Sequence, residues 1–525
     1  MRRYLLLLGS AVGLGTSAAI LSGYIWVGRG DPSTRVIRSF LAESDLGAFT
    51  SDWENWSGTW PAGYFLIQGA WIRLMGALGV GSVFHQTQGV LWLSTLAWVV
   101  VLVGAYGVVS RAVSAEWGWL TVAGLLALPL LTELSHNAYA SIYFGALFVL
   151  TLRSLIEFEA TARIRWLAVA GLLLLAASTL RTEAVVVSAA LALVVMLRHG
   201  VLHAGGFFVL AASLTLVRII VVMTVGQTTA DFFQQVPQPL SRRLTDLATL
   251  MLYLVVPTAI VLEVLRRHFG SRIPGRGTFD GGLKGRLAEY AAAGGGSLLA
   301  FFLGAMLFLP MLGPDSRFLL IPSIASIILL GCLATTSADE AWRRMRPLLA
   351  PWVAISFVVQ VFVLGVDYLA DRPRPPQAVR DAAEWLRARE GPEILLAVDH
   401  LDWWQQTLLL YASRSSEELR RSYVHTSVPP LEDSQPRPES EAELAGAYLV
   451  QYHPDYIVWQ GSRIDGHPEG GYVVSGPSFF DPWIEEDDGR WIVTPPGSIV
   501  VAAVATSVVE NDWLRILEPS WVDPR

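Results

Sequence analysis

The chain has 525 residues, 53% of them hydrophobic and only 16% charged, with a mean hydropathy of +0.45 and a formal net charge of -7. That balance excludes an ordinary soluble enzyme and points to a polytopic membrane protein. A single cysteine, Cys332, lies inside an apolar run, which excludes a disulfide framework and a cysteine-based metal site.

Runs of roughly 18 or more apolar residues, each long enough to cross the hydrocarbon layer, recur from near the N-terminus to about residue 366 and then stop. The first, over residues 4–27, has the basic start of a signal peptide but stays apolar through Trp26, which favours a retained anchor. It breaks off at Asp31, and "DPSTRVIRSFLAES" follows with the pattern of a surface helix. Asp31 is either the ordinary polarity of a span end or a catalytic carboxylate held at the bilayer edge.

The next stretch, "SDWENWSGTWP", carries Trp53, Trp56 and Trp60, which fit an interfacial belt or stacking platforms for a sugar ring. Asp52 and Glu54 beside them are rival candidate acids. In "WPAGYFLIQGAWIRLMGALGV", Arg73 interrupts the apolar run, so a helix lying at the interface is expected rather than a crossing. Further spans are expected near 89–109, 118–132, 138–152, 166–180, 184–197, 205–224, 247–265, 293–312, 318–335 and 348–366, eleven with the first.

Arginine placement sets the orientation. Lys284 is the only lysine, and the arginines are scattered through the membrane half, a bias of genome composition that gives no sign of a nucleic-acid partner. With the N-terminus inside, the inner loops hold Arg111, Arg153, Arg163, Arg165, Arg198, the cluster from Arg266 to Arg286 and "RRMR" at 343–346. Asp31, Glu133, His136, Arg181, Glu183, Asp315 and Arg317 then share the outer mouth of the bundle. Ionisable groups at membrane depth are costly and usually face a cavity or one another, so this level is the candidate site; the alternative for each residue is ordinary loop polarity. Arg317 can equally be a snorkelling span-end residue, Arg181 and Glu183 a structural ion pair, and His85 and His136 plain polar side chains.

After "DRPRPPQ", a linker, helix and strand signals alternate: "DAAEWLRARE", "EILLAVD", "QQTLLLYASR" and "DYIVWQ", with later strands in "WIEEDDGRWIVTPPGSIVVAAVATSVV". The division expected is a membrane domain over 1–369, with its first outer loop at 28–88, and an extracytoplasmic α/β domain over 370–525. The acid run Glu485 to Asp488 lacks the alternating oxygens of a calcium loop and reads as a solvated turn.

Four stretches, in order, resemble the GT-C superfamily of integral-membrane glycosyltransferases, in particular the protein O-mannosyltransferase and aminoarabinose transferase group. They are "GDPSTRVIRSFLAESDLGAF" with "WPAGYFLIQGAWIRLMG", "LLLLAASTLRTEAVVV", "LGPDSRFLLIPSIASIILLG", and the outer-domain pieces "DAAEWLRAREGPEILLAVDH" and "HPDYIVWQ". The resemblance implies a helical bundle with a small C-terminal extracytoplasmic α/β domain, in the cytoplasmic membrane of a bacterium. It implies transfer of a hexosyl or pentosyl group from a polyprenyl-phosphate donor, among membrane lipids, to a protein, lipid or polysaccharide acceptor. It makes Asp31 the catalytic carboxylate, and the outer-mouth groups Arg317, Arg181, Glu183, Glu133, His136 and Trp60 substrate-binding. The sequence departs from many relatives in having Pro32 where they have a second acid. That departure weakens a two-carboxylate or metal-binding site, although a divalent metal ion stays open as a cofactor, and it keeps alive the alternative of a non-catalytic envelope assembly protein. A transporter or flippase of lipid-linked sugars, with the same polar mouth as a gate, is the other alternative.

Overall fold

A computed structural model of the chain describes residues 31–44, 47, 62–126, 139–225, 282–308 and 320–333, and then 377–389, 396–398, 403–424, 449, 453–459, 484–487, 490–493, 503–510 and 515–521. The helices are α1 (Asp31–Ser44), α2 (Ala62–Ala77), α3 (Val83–Ala112), α4 (Ala115–Leu126), α5 (Ala140–Thr161), α6 (Ile164–Ser178), α7 (Ala184–His199), α8 (Val201–Val225), α9 (Leu283–Phe308) and α10 (Leu320–Leu333), followed by α11 (Gln377–Arg387), α12 (Trp403–Ala412) and α13 (Ser416–Arg421). Eight of the expected spans fall on α3 to α10. Those at 4–27, 247–265 and 348–366 lie outside the described residues. Among the described residues α3 and α5 are long and apolar enough to cross a bilayer by that test alone, and α6 and α7 are shorter apolar helices.

The chain forms two compact units: Met1–Leu21, Ala48–Tyr64 and Trp92–Tyr368 in one, Ser22–Gly47, Phe65–Leu91 and Leu369–Arg525 in the other. In the first, α6 packs on α5 and α8, α7 on α8 and α9, and α10 on α9, α4 and α5. Two helices run well past their expected ends: α5 continues nine residues beyond 152, and α9 starts ten before 293. Both extensions carry charges, which the hydropathy pattern takes as loop, and both are helical because the charges match across helices. Arg153 pairs with Glu157 one turn on at 2.6 Å. Glu159, only 1% exposed, meets Arg286 of α9, accepts from the Tyr290 hydroxyl at 2.7 Å and lies 2.9 Å from His199 Nε2 of α7. Beside it Arg198 Nε donates to Glu289 at 2.8 Å.

Small residues set how closely the helices approach. A Cβ at Gly294 would come within 2.7 Å of the Phe148 ring and one at Gly295 within 2.3 Å of the Ala325 Cβ, whereas at Gly296 it would meet nothing within 4 Å. Between membrane helices, where lipid is as apolar as leucine, close van der Waals packing of this kind is a main source of cohesion.

In the second unit α1 buries Val36, Ile37, Phe40 and Ala42. That apolar face is the surface-helix pattern expected of this stretch. It packs on α12 and α13, and Ser39 donates to Gln68 Oε1 of α2 at 2.6 Å. Arg73, which interrupts the apolar run of α2, donates to the Glu43 carbonyl in the last turn of α1 at 2.9 Å, the usual use of a cation at a helix C-terminus. Gly79, at φ +90, makes the turn from α2 into α3 in a conformation that side-chain-bearing residues rarely adopt. Trp71 Nε1 then donates to the Gly89 carbonyl across that hairpin at 2.8 Å.

The C-terminal strands are β1 (Leu396–Val398), β2 (Tyr423–Val424), β3 (Tyr456–Trp459), β4 (Ile484–Asp487), β5 (Arg490–Val493), β6 (Ala503–Glu510) and β7 (Arg515–Trp521). They form one sheet in the order β2-β1-β3-β7-β6-β5-β4. The first three are parallel and the rest antiparallel. Helices α11 and α12 and strands β1 and β3 stand where the sequence pattern puts them. The acid run does not: Glu485 to Asp487 belong to β4, an edge strand paired with β5. Charged residues suit an edge, where they discourage further pairing. Strand β7 has no counterpart in the sequence expectation, because Pro519 disguises it. The β3 partner covers only Arg515 to Trp459 and Leu517 to Ile457, so at Pro519 the strand pairs with β6 alone and needs no donor on the other side.

The packing contrast within α9 gives a direct check. Gly295→Leu should destabilise the bundle by about 1–3 kcal/mol through overpacking against Ala325, and Gly296→Leu should be tolerated. Thermal unfolding of the two variants in detergent compares them, and equal midpoints would sink the close-approach argument.

Candidate functional site

One end of the first unit gathers the start of α2, the start of α5, the end of α6 and the start of α7. The α6–α7 turn, Thr179 to Glu183, is tight: the Arg181 amide donates to the Ala177 carbonyl at 3.0 Å, and the Ala184 amide to the Arg181 carbonyl at 3.3 Å. This turns the Arg181 side chain into the helices, where it is 7% exposed. A buried guanidinium needs a counter-charge and hydrogen bonds to offset its lost hydration. Glu183 supplies both in a forked contact: Nη2 donates to Oε1 at 2.7 Å and Nε to Oε2 at 3.2 Å. Nη1 donates to the Ser141 hydroxyl of α5 at 3.0 Å.

Glu183 occupies the N-cap position of α7, yet its carboxylate makes no cap bond to the helix. The arginine takes it instead. Two residues beyond Ser141, the Tyr143 hydroxyl lies 3.0 Å from Ser94 Oγ of α3, and its ring centre is 5.9 Å from that of Tyr64. The start of α2 approaches the end of α6 closely enough that a Cβ on Gly63 would fall 2.2 Å from Thr179 Oγ1. In the same unit, Leu320, the first residue of α10, borders the Cβ position of Gly145 on α5 at 3.4 Å.

Of the residues expected at the site, Arg181 and Glu183 are therefore together and paired. Asp31 is the first residue of α1, in the other unit. Arg317, Glu133, His136 and Trp60, with Asp315, Asp52 and Glu54, lie outside the described residues. His85, in the first turn of α3, is exposed, and its ring stands edge-on to Phe84 at 5.3 Å. Ser141, Tyr143, Tyr64 and Ser94 were not singled out in the sequence. Their signal was available, since hydroxyls inside apolar spans need partners, but they are ordinary residues whose partners lie on other helices. Among the described residues no group of three or more His, Cys, Asp and Glu side chains is placed to hold a metal ion.

A forked guanidinium–carboxylate contact is geometrically the same contact that a phosphate makes. In Arg181 that fork is filled by a carboxylate two residues away in sequence. Glu183→Gln should strip the counter-charge from a buried cation and cost about 3 kcal/mol or more. Arg181→Met combined with Glu183→Gln removes both charges and should cost less than the single change. Unfolding midpoints of the two variants measure this, and a double variant less stable than Glu183→Gln alone would show that the pair is not coupled.

No protein-family model matches the chain, and no curated protein matches it by sequence. Solved structures do match. The apo form of ArnT from Cupriavidus metallidurans aligns with a TM-score of 0.51 at 14% identity, over 77% of this chain and 84% of that one. The same protein bound to undecaprenyl phosphate aligns at 0.50, with 14% identity over 77% and 85%. The archaeal oligosaccharyltransferase AglB from Archaeoglobus fulgidus, in complex with an inhibitory peptide and a dolichol-phosphate, aligns at 0.41 with 10% identity over 85% and 69%. Over about three quarters of its length the chain therefore shares the fold of ArnT, a polytopic helical fold.

Proposed function

We propose that the protein is a membrane glycosyltransferase that moves a sugar from a polyprenyl-phosphate donor to an acceptor at the outer face of the cytoplasmic membrane. The observation that carries this reading is the likeness of fold to ArnT over 77% of the chain, one of the matching ArnT structures holding undecaprenyl phosphate. Nucleotide sugars are cytoplasmic, so an outer-face enzyme takes its sugar from a lipid carrier.

In the proposed reaction an acceptor hydroxyl attacks the anomeric carbon, the bond from that carbon to the phosphate oxygen breaks, and the polyprenyl phosphate leaves with the bonding electrons. Asp31 takes the hydroxyl proton as general base. The resemblance of "GDPSTRVIRSFL" to the first outer loop of the family supports that role. Arg317 and Arg181 stabilise the charge that develops on the departing phosphate through forked hydrogen bonds. Glu183 holds the Arg181 guanidinium in place, and Glu133, His136 and Trp60 contribute to binding donor or acceptor. The acceptor is a protein, lipid or polysaccharide hydroxyl, and the sugar a hexose or pentose derivative.

The decisive measurement is transfer from a panel of radiolabelled polyprenyl-phosphate sugars by membranes containing the protein, with Asp31→Asn alongside at equal protein level. Loss of a general base should lower the rate at least about a hundredfold. Transfer from no donor would remove the enzyme reading, and transfer that survives the substitution would move the base to Asp52, Glu54 or Glu133.

A further inference from the structure

At the opposite end of α6 from Arg181, a groove of about 350 Å³ runs between α6 and α8. That is the size of a small-molecule pocket. Ile164 and Leu167 form one wall, Leu202, Phe207 and Leu210 the other, and Gly206 lies along it. A Cβ at Gly205 or Gly206 would meet nothing within 4 Å. Unlike Gly295, these glycines do not bring two helices together; they leave space. Ile164 and Leu202 are 59% and 90% exposed, so the groove opens on the surface that a bilayer would cover.

Basic residues adjoin one end of the groove. Arg163 and Arg165, both exposed, flank Ile164, and the Arg165 guanidinium carbon stands 5.4 Å from the centre of the Trp166 ring. A tryptophan and two arginines at one end of an apolar helix mark the headgroup level of a membrane. His203, which lines the groove, stands beside the His199 ring at 6.3 Å between centres. Arg198 and Arg286, also at this end, are engaged by Glu289 and Glu159. Arg163 and Arg165, on either side of the groove residue Ile164, add positive charge beyond those pairs.

We infer that this groove is a binding site for an anionic phospholipid of the bilayer, with an acyl chain between α6 and α8 and the phosphate at Arg163 and Arg165. Apolar walls alone accept any lipid chain, whereas basic side chains at the headgroup level select anionic lipids. A bilayer phospholipid is favoured over a polyprenyl phosphate because the groove lies about 22 Å along α6 from the Arg181 turn, at 1.5 Å rise per residue. In the orientation proposed above it belongs to the cytoplasmic leaflet. The inference does not depend on glycosyl transfer.

The test is native mass spectrometry of the full chain, purified in detergent and exposed to equal amounts of phosphatidylglycerol and phosphatidylethanolamine. The protein should retain phosphatidylglycerol roughly thirtyfold better, as two arginines at the headgroup level would give. Gly206→Phe, which fills the groove, should abolish retention of both lipids. Arg163→Gln with Arg165→Gln should abolish the preference and keep the fold, since both positions are exposed. Equal retention of the two lipids by the unaltered chain, or a preference that survives the double arginine change, would overturn the site. So would displacement of phosphatidylglycerol by equimolar undecaprenyl phosphate, which would reassign the groove to the donor lipid.

Discussion

Glu159 is almost wholly enclosed by apolar helices, and a carboxylate in that position is tolerable only if it is neutralised where it stands. Arg286 and Tyr290 reach it from α9 and His199 from α7, so one side chain ties three helices. Removing any one partner leaves charge or polarity stranded in a medium that cannot hydrate it, which is why such contacts fix a single arrangement more firmly than their net energy suggests. The helices α5 and α9 extend past their apolar stretches because this network satisfies their charges.

The other end of the bundle solves the same problem locally. Arg181 finds its counter-charge two residues away, on Glu183, and reaches across to Ser141. Several elements surround the Glu159 network, and an incoming anion would have to dismantle it. The two ends thus differ in kind, one network shared by three helices and one ion pair closed within a single turn.

The second unit places α1 in a defined setting. Its buried face packs on α12 and α13, and the α2–α3 hairpin braces it through Ser39, Gln68 and Arg73. Asp31, the proposed base, therefore begins a helix anchored by its own unit. A base must be held within about a hydrogen bond of the hydroxyl it serves, so a helix start fixed by packing is a better platform than a free loop.

The sequence by itself determined the class and much of the layout. Composition and the length of the apolar runs give a membrane bundle, since a chain with so little charge must hide its surface in lipid. Period-2 and period-3.6 patterns give α1, α11, α12, β1 and β3, because each depends only on residues near in sequence. The pairing of Arg181 with Glu183 was legible for the same reason, being a contact over two positions. The tertiary structure alone decided what depends on distant partners. It made Glu159, Arg286 and Tyr290 a buried network rather than loop charges, and brought Ser141 to Arg181. It also allowed β7 despite Pro519, and left Gly206 in open space while Gly295 meets Ala325. In each case the residue types are ordinary, and their meaning comes from which side chain, hundreds of atoms away along the chain, stands opposite them.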